Sequence, residues 1–271
     1  MSGTTLPGTS WSARARTCRL RDGGFPGLPL PSGDGAPAAA RAAVRALLTE
    51  LRMPPDAAHD AKVIVSELAT NAVLHSGRAR GLPPAGGLEL WAHLRWRTRP
   101  EIVVTVFDPG PWPGPGVFAA PRSAPPGALG GRGLQVVDAL TAAAGGRWGG
   151  HPTRSRLGAR PAPGKAVFFS LPLPDGAAPG PLAGLRPAER IGALLVARGL
   201  EPVLTGGPEA TELSVPDGPS CRVVTGRLTC TFPGSAPVGH PAADAVEVAE
   251  QIVRWHEEKA AAVVPAPRPG A

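Results

Sequence analysis

Apolar residues recur at helical spacing in several stretches of the chain and alternate or run together in others. Val44, Leu47, Leu48 and Leu51 keep a helical period within an alanine-rich segment that Pro54-Pro55 ends, so a helix is predicted over Ala38–Leu51. Asp56 is placed to cap a second helix, from about Ala57 to His75. In it Ile64, Val65, Leu68, Ala72 and Val73 fall largely on one face, which suits packing on a sheet. Leu88–Trp96 alternates: Leu88, Leu90, Ala92 and Leu94 point one way, and Glu89, Trp91, His93 and Arg95 the other. That is the pattern of a half-buried strand.

Glu101–Phe107 reads as a β-branched strand, joined to the previous one by a hairpin at Arg97–Pro100. A helix is predicted at Gly133–Ala143 and an apolar strand at Lys165–Leu171, closed by Pro172 and Pro174. Ala13–Leu20 reads as a first edge strand. The Pro- and Gly-rich stretches 23–37, 77–87, 109–131 and 145–164 read as loops. After a Gly/Ala/Pro linker a second pattern follows. It has a helix over Pro187–Arg198, short strands near Pro202–Leu204, Thr211–Val215, Cys221–Thr225 and Leu228–Phe232, and a helix over Ala242–Lys259. That last helix carries Val246, Ala249, Ile252, Val253 and His256 on one stripe. The predicted division is a disordered N-terminus at 1–12, a first domain at 13–174, a linker at 175–184, a small α+β domain at 185–260 and a disordered tail at 261–271.

Composition changes this picture little. At 271 residues, 42% of them hydrophobic, the chain can bury a substantial core. The net charge of +7 is uneven: residues 1–181 hold 20 basic and 11 acidic side chains, and the remainder holds 8 and 10. A basic first part favours an anionic ligand or acidic partner. Duplex DNA is the alternative, but the arginines are scattered and no recognisable DNA-binding motif accompanies them. The three cysteines have no metal-ligand spacing. Cys221 and Cys230 flank a hairpin predicted around Thr225-Gly226. They lie opposite if those two residues form the loop, and then either bond or stay reduced as small strand residues. There is no signal-peptide pattern, and no apolar run reaches the roughly 20 residues a membrane span needs, so a soluble cytoplasmic protein is expected.

Candidate chemistry sits in three places. Glu67, Asn71 and His75 stack along one helix face, and oxygen donors one turn apart suit a hard cation. An incidental surface stripe has the same spacing. Asp108 ends an apolar strand and Gly110 follows two residues later. A carboxylate there can accept from an exocyclic amine such as that of adenine, while a glycine lets a flat base approach. An ordinary Asp-Pro-Gly turn is the other reading. Last, Gly130-Gly131-Arg132-Gly133-Leu134 runs into the first turn of a helix, where free amides and Arg132 suit an anion. It matches neither a Rossmann fingerprint nor a Walker loop.

Taken in order, a Glu/Asn helix, a strand-Asp-x-Gly, a long loop and a Gly-x-Gly-Leu helix start resemble the N, G1 and G2 boxes of the Bergerat-fold ATPases, which include gyrase and the histidine kinases. The wording Ser66-Glu67-Leu68-Ala69-Thr70-Asn71-Ala72-Val73-Leu74-His75 with Gly131-Arg132-Gly133-Leu134 resembles the anti-sigma-factor serine/threonine kinase branch. So do Phe25-Pro26-Gly27, Trp148-Gly149 and Gly164-Lys165-Ala166-Val167-Phe168-Phe169, over roughly residues 14–173.

The resemblance, which does not extend to the small α+β domain that follows, implies a two-layer α/β sandwich with a mixed, mainly antiparallel sheet and helices on one side. It implies ATP and Mg²⁺ as cofactors. Asn71 would coordinate the Mg²⁺ and Glu67 would be the catalytic base. Asp108 and Gly110 would meet the adenine, Gly131, Arg132, Gly133 and Leu134 the phosphates, and residues 111–130 would form a lid. His75 is assigned to the helix end. The implied activity is ATP-dependent phosphorylation of a protein partner, a sigma factor or anti-anti-sigma factor being the expected binder, with a homodimer compatible. The rival readings are a catalytically weak nucleotide-binding interaction module and a DNA-binding regulator.

Overall fold

The structure is a computed structural model that describes residues 19–76, 87–96, 99–119, 132–178, 186–207, 209–224 and 226–263. The first sheet has the order β1-β2-β3-β5-β4. Its strands are β1 (Gly27–Leu30), β2 (Leu88–Trp96), β3 (Pro100–Asp108), β4 (Arg147–Arg154) and β5 (Pro163–Pro172). All of its pairings are antiparallel. Three long helices cover one face: α1 (Ala36–Glu50), α2 (Pro55–His75) and α4 (Gly133–Ala143). A single turn, α3 (Gly116–Ala119), interrupts the loop after β3. Val44 and Leu48 of α1, Ile64, Val65 and Leu68 of α2, and Val137 of α4 pack on Leu90, Ile102, Val104, Phe169 and Leu171 of the sheet. The α/β sandwich expected from the sequence is therefore present.

Four local expectations change. The predicted strand Ala13–Leu20 lies mostly outside the described residues, and Leu20–Asp22 is one 3-10 turn. The edge strand is instead Gly27–Leu30, inside a stretch that reads as a loop. The second missed strand, β4, lies within the predicted loop 145–164. Both are edges of the sheet, where Pro29 and Pro152 can be held without breaking a central ladder. At α2 the N-cap is Pro54, so Asp56 sits in the first turn and complements the helix dipole rather than capping it.

The C-terminal part is a five-stranded antiparallel meander, β10-β9-β8-β7-β6, with two helices on it. Its strands are β6 (Val203–Gly206), β7 (Ala210–Ser214), β8 (Ser220–Val224), β9 (Arg227–Thr231) and β10 (Val238–Pro241), the last not predicted. Helix α5 (Pro187–Ala197) precedes them and α6 (Ala245–Val263) follows, continuing past the expected end at Lys259. Cys221 and Cys230 are directly opposite in the register, Cα atoms 4.1 Å apart, and are joined as a disulfide.

This small α+β unit lies on the second face of the first sheet. Helix α6 is gripped from both sides. Val248, Ala249, Ile252 and Val253 pack into the meander's core. Val246 meets Phe25, Trp91 and Phe107 of the first sheet's region. Strand β2 is consequently buried on both faces from Leu88 to Arg95, rather than half-buried. Of the residues that alternation turns away from the α2 side, Glu89, His93 and Arg95 find polar partners there. The Glu247 carboxylate lies 3.0 Å from His93 Nε2 and 3.5 Å from Arg95 Nη1. Arg95 also pairs with Glu101. Trp96 N–H donates to Asp244 Oδ1 at 2.6 Å. Arg154 pairs with Glu257 at 2.6 Å, and Arg198 with Glu250 at 2.5 Å. Glu89 accepts the backbone N–H groups of Arg156 and Leu157 at 2.7 and 3.0 Å. Burial alone would raise the Glu247 carboxyl, but the hydrogen bond and charge of His93 and the charge of Arg95 hold it below the usual range.

Candidate functional site

A cavity of about 420 Å³ opens where α2, the end of β3, the start of β5 and α4 converge. Its floor is apolar, from Leu68 and Ala72 of α2 with Val106 and Val167 of the sheet. Such a floor suits a flat, weakly polar ring, and a few convergent polar groups then set orientation. Those groups are Asn71, His75, Asp108 and Lys165, with Gly133 and Leu134 at the mouth of α4.

Asp108 is placed by pleat parity. Ile102, Val104 and Val106 point toward the helices, and so does the last residue of the strand. Its carboxylate is buried. Oδ1 accepts the Gly110 N–H at 2.8 Å and a hydrogen bond from Lys165 Nζ at 2.6 Å. Burial pushes the Asp108 carboxyl up, while the Lys165 ammonium and the Gly110 N–H oppose that shift. Gly110 is a packing requirement as well as a turn residue. An added Cβ would come within 2.6 Å of Asp108 Oδ1, 2.6 Å of the His75 carbonyl oxygen and 2.7 Å of Lys165 Nζ.

Glu67 and Asn71 are one turn apart on α2, both half-buried. Asn71 lines the cavity. Glu67 lies past its rim, with its carboxylate against the start of α4: a Cβ on Gly133 would be 2.6 Å from Glu67 Oε2. The N-cap of α4 is Arg132, exposed, with no side-chain cap on the first amides. Open amides at a helix start, with the dipole behind them, favour an anion. Gly131 lies outside the described residues. His75 is the last residue of α2, and it also lines the cavity.

The loop after Gly110 bends back over the cavity. Pro111, Pro113, Val117 and Phe118 form that wall. Phe118 stacks on Trp112, ring centroids 5.3 Å apart, and meets Trp148 of β4 edge-on at 6.3 Å. Gly150 leaves space for the Phe118 ring, which an added Cβ would meet at 2.7 Å. The expected lid segment 111–130 is described only as far as 119, and that portion is docked on β4.

Lys165 was assigned no site role by sequence reasoning beyond its place in the stretch Gly164–Phe169. It opens a strand read as uniformly apolar, and its partnership follows from the register, which sets Asp108 directly opposite Lys165. Opposite charges facing one another across an antiparallel pair are a usable signal once the register is known.

Residues 31–148 match the family model of the histidine kinase-like ATPase domain. That stretch holds α1, α2, β2, β3 and α4, including Glu67, Asn71, Asp108 and Gly133. Lys165 falls beyond it. Solved structures of histidine kinases are also similar. The mycobacterial sensor histidine kinase MprB is 22% identical over 43% of this chain and 74% of that one, with a TM-score of 0.29. The histidine kinase domain of the Erythrobacter litoralis EL346 blue-light activated histidine kinase is 21% identical over 49% of this chain and 61% of that one, with a TM-score of 0.30. Full-length ShkA in complex with AMPPNP is 21% identical over 65% of this chain and 36% of that one, with a TM-score of 0.29. No curated protein matches the chain. Among the described residues, no helix is long and apolar enough to cross a membrane.

Proposed function

We propose that this chain is a regulatory protein kinase of the anti-sigma type, transferring the γ-phosphate of ATP to a serine or threonine of a protein partner. The observation that carries this reading is the position of Glu67. Its carboxylate sits at the uncapped start of α4, at the opposite end of the site from Asp108. A triphosphate lying between them would present its terminal group beside a base.

The donor set fits the nucleotide. Asp108 would accept from the adenine amine, with Gly110 giving the ring access. The amides of Gly133 and Leu134, joined by Gly131 and Arg132, would meet the phosphates. The Asn71 side-chain oxygen would hold Mg²⁺, which when bound supplies charge neutralisation to the phosphates. Glu67 would take the proton of the attacking hydroxyl as its oxygen bonds to the γ-phosphorus, with ADP leaving. The first sheet and its helices, within 13–174, are the ATP-binding domain. Residues 185–260 form a unit that packs on it, and a sigma factor or anti-anti-sigma factor is the partner to test.

Radiolabelled phosphate transfer to such partners, comparing wild type with Glu67→Ala, tests the reading. Transfer by the wild type and its loss of about a hundredfold or more in the variant is the expected result. A second reading, a nucleotide-binding interaction module without useful transfer, is favoured by the docking of Phe118, stacked on Trp112, against Trp148. Retained ATP binding with no transfer to any partner by the wild type would establish that module.

A further inference from the structure

The Lys165–Asp108 pair stands at the cavity wall with hydrogen-bonding capacity to spare. Lys165 is buried, and an ammonium has three donors. Among the described residues its only partner is Asp108, through Oδ1. Holding a lysine out of water against a single carboxylate oxygen is poor economy for a purely structural ion pair, because the remaining N–H groups stay unpartnered. Both groups face the same cavity, over the same apolar floor of Val106 and Val167. A flat ring entering this corner meets a carboxylate and an ammonium side by side, a hydrogen-bond acceptor next to a donor.

We propose that Lys165 is a second base-reading residue: Asp108 and Lys165 together read the amidine edge of adenine. Asp108 accepts from the exocyclic amine, and Lys165 donates to the ring nitrogen next to that amine. The nitrogen is N1 or N7, according to which edge of the base faces the corner. This assignment deepens the ATP reading above and rests on it. It gives Lys165 a role in recognising the base, distinct from the phosphate role usual for a lysine in a nucleotide site.

Equilibrium binding with four nucleotides tests it: ATP, 1-deaza-ATP, 7-deaza-ATP and purine riboside triphosphate, the last lacking the amine. With wild-type protein, one of the two deaza compounds should bind about tenfold to a hundredfold more weakly than ATP, the effect of one lost hydrogen bond to a charged group. In Lys165→Met that penalty should disappear, the deaza compound and ATP binding alike. Equal affinities of ATP and both deaza compounds for the wild type would overturn the proposal, and so would a penalty that survives in Lys165→Met. The wild-type comparison decides by itself if the variant does not fold. The amine-free nucleotide reports separately on Asp108: if it binds as well as ATP, the base-binding assignment of Asp108 fails. If ATP itself does not bind, the whole site reading fails first.

Discussion

The two faces of the first sheet are both buried, but by different chemistry. Toward α2, Leu90, Ile102, Val104, Val106, Phe169 and Leu171 meet an aliphatic helix layer. Toward α6, the alternate residues of β2 and β3 include Glu89, His93, Arg95, Glu101 and Thr105, all buried beside Trp91 and Phe107. The first face is held by area, a force without direction that many sequences satisfy. The second is held by matched charges around a small apolar centre, and it is stable only against the partner that supplies Glu247 and Glu257. The cavity proposed to take the nucleotide opens on the first face, over an apolar floor. The charged face carries the C-terminal unit, which is thereby fixed to the back of the same strands that position Asp108.

The largest expected effect comes from breaking the charged face. Glu247→Ala leaves His93 and Arg95 buried beside a lost partner, and should cost about 3–5 kcal/mol in urea unfolding. A loss below about 1 kcal/mol would mean that the apolar centre of Phe25, Trp91, Phe107 and Val246 suffices. Leu90→Ala, on the other face of the same strand, should cost about 2–4 kcal/mol through the cavity it leaves.

The pH dependence separates the faces further. Glu247 is held below its unfolded-state value. Its stabilisation is therefore complete above about pH 4.3 and is lost as pH falls below that. The stability difference between wild type and Glu247→Gln should shrink as pH falls through this window, whereas the cost of Leu90→Ala should persist. Parallel curves for wild type and Glu247→Gln would contradict the assignment. The smallest effect is expected at Arg254→Ala, whose pair with Glu258 is exposed: within about 0.5 kcal/mol.

Much of the candidate site was legible in the order of its motifs. Glu67 and Asn71 share a helix face by spacing, and Asp108 ends a strand whose alternation sets its direction. The helix at Gly133–Ala143 falls where its apolar period predicts. Strands β1 and β4 were hidden because edge strands tolerate the prolines and glycines that elsewhere mark loops. Lys165 was hidden because its meaning comes from a partner 57 positions away.

Periodicity along this chain determined which residues form helices and central strands, and which side chains share a face, because those follow from backbone geometry within a few residues. Alternation correctly separated Glu89, Trp91, His93 and Arg95 from the aliphatic side of β2. It could not say what covers them. That was decided only when α6 docked, since a charged strand face is equally consistent with water and with a complementary set of charges. Strand register and domain docking join residues far apart in sequence. The ion pair in the cavity and the carboxylate at the sheet's back both depend on that joining.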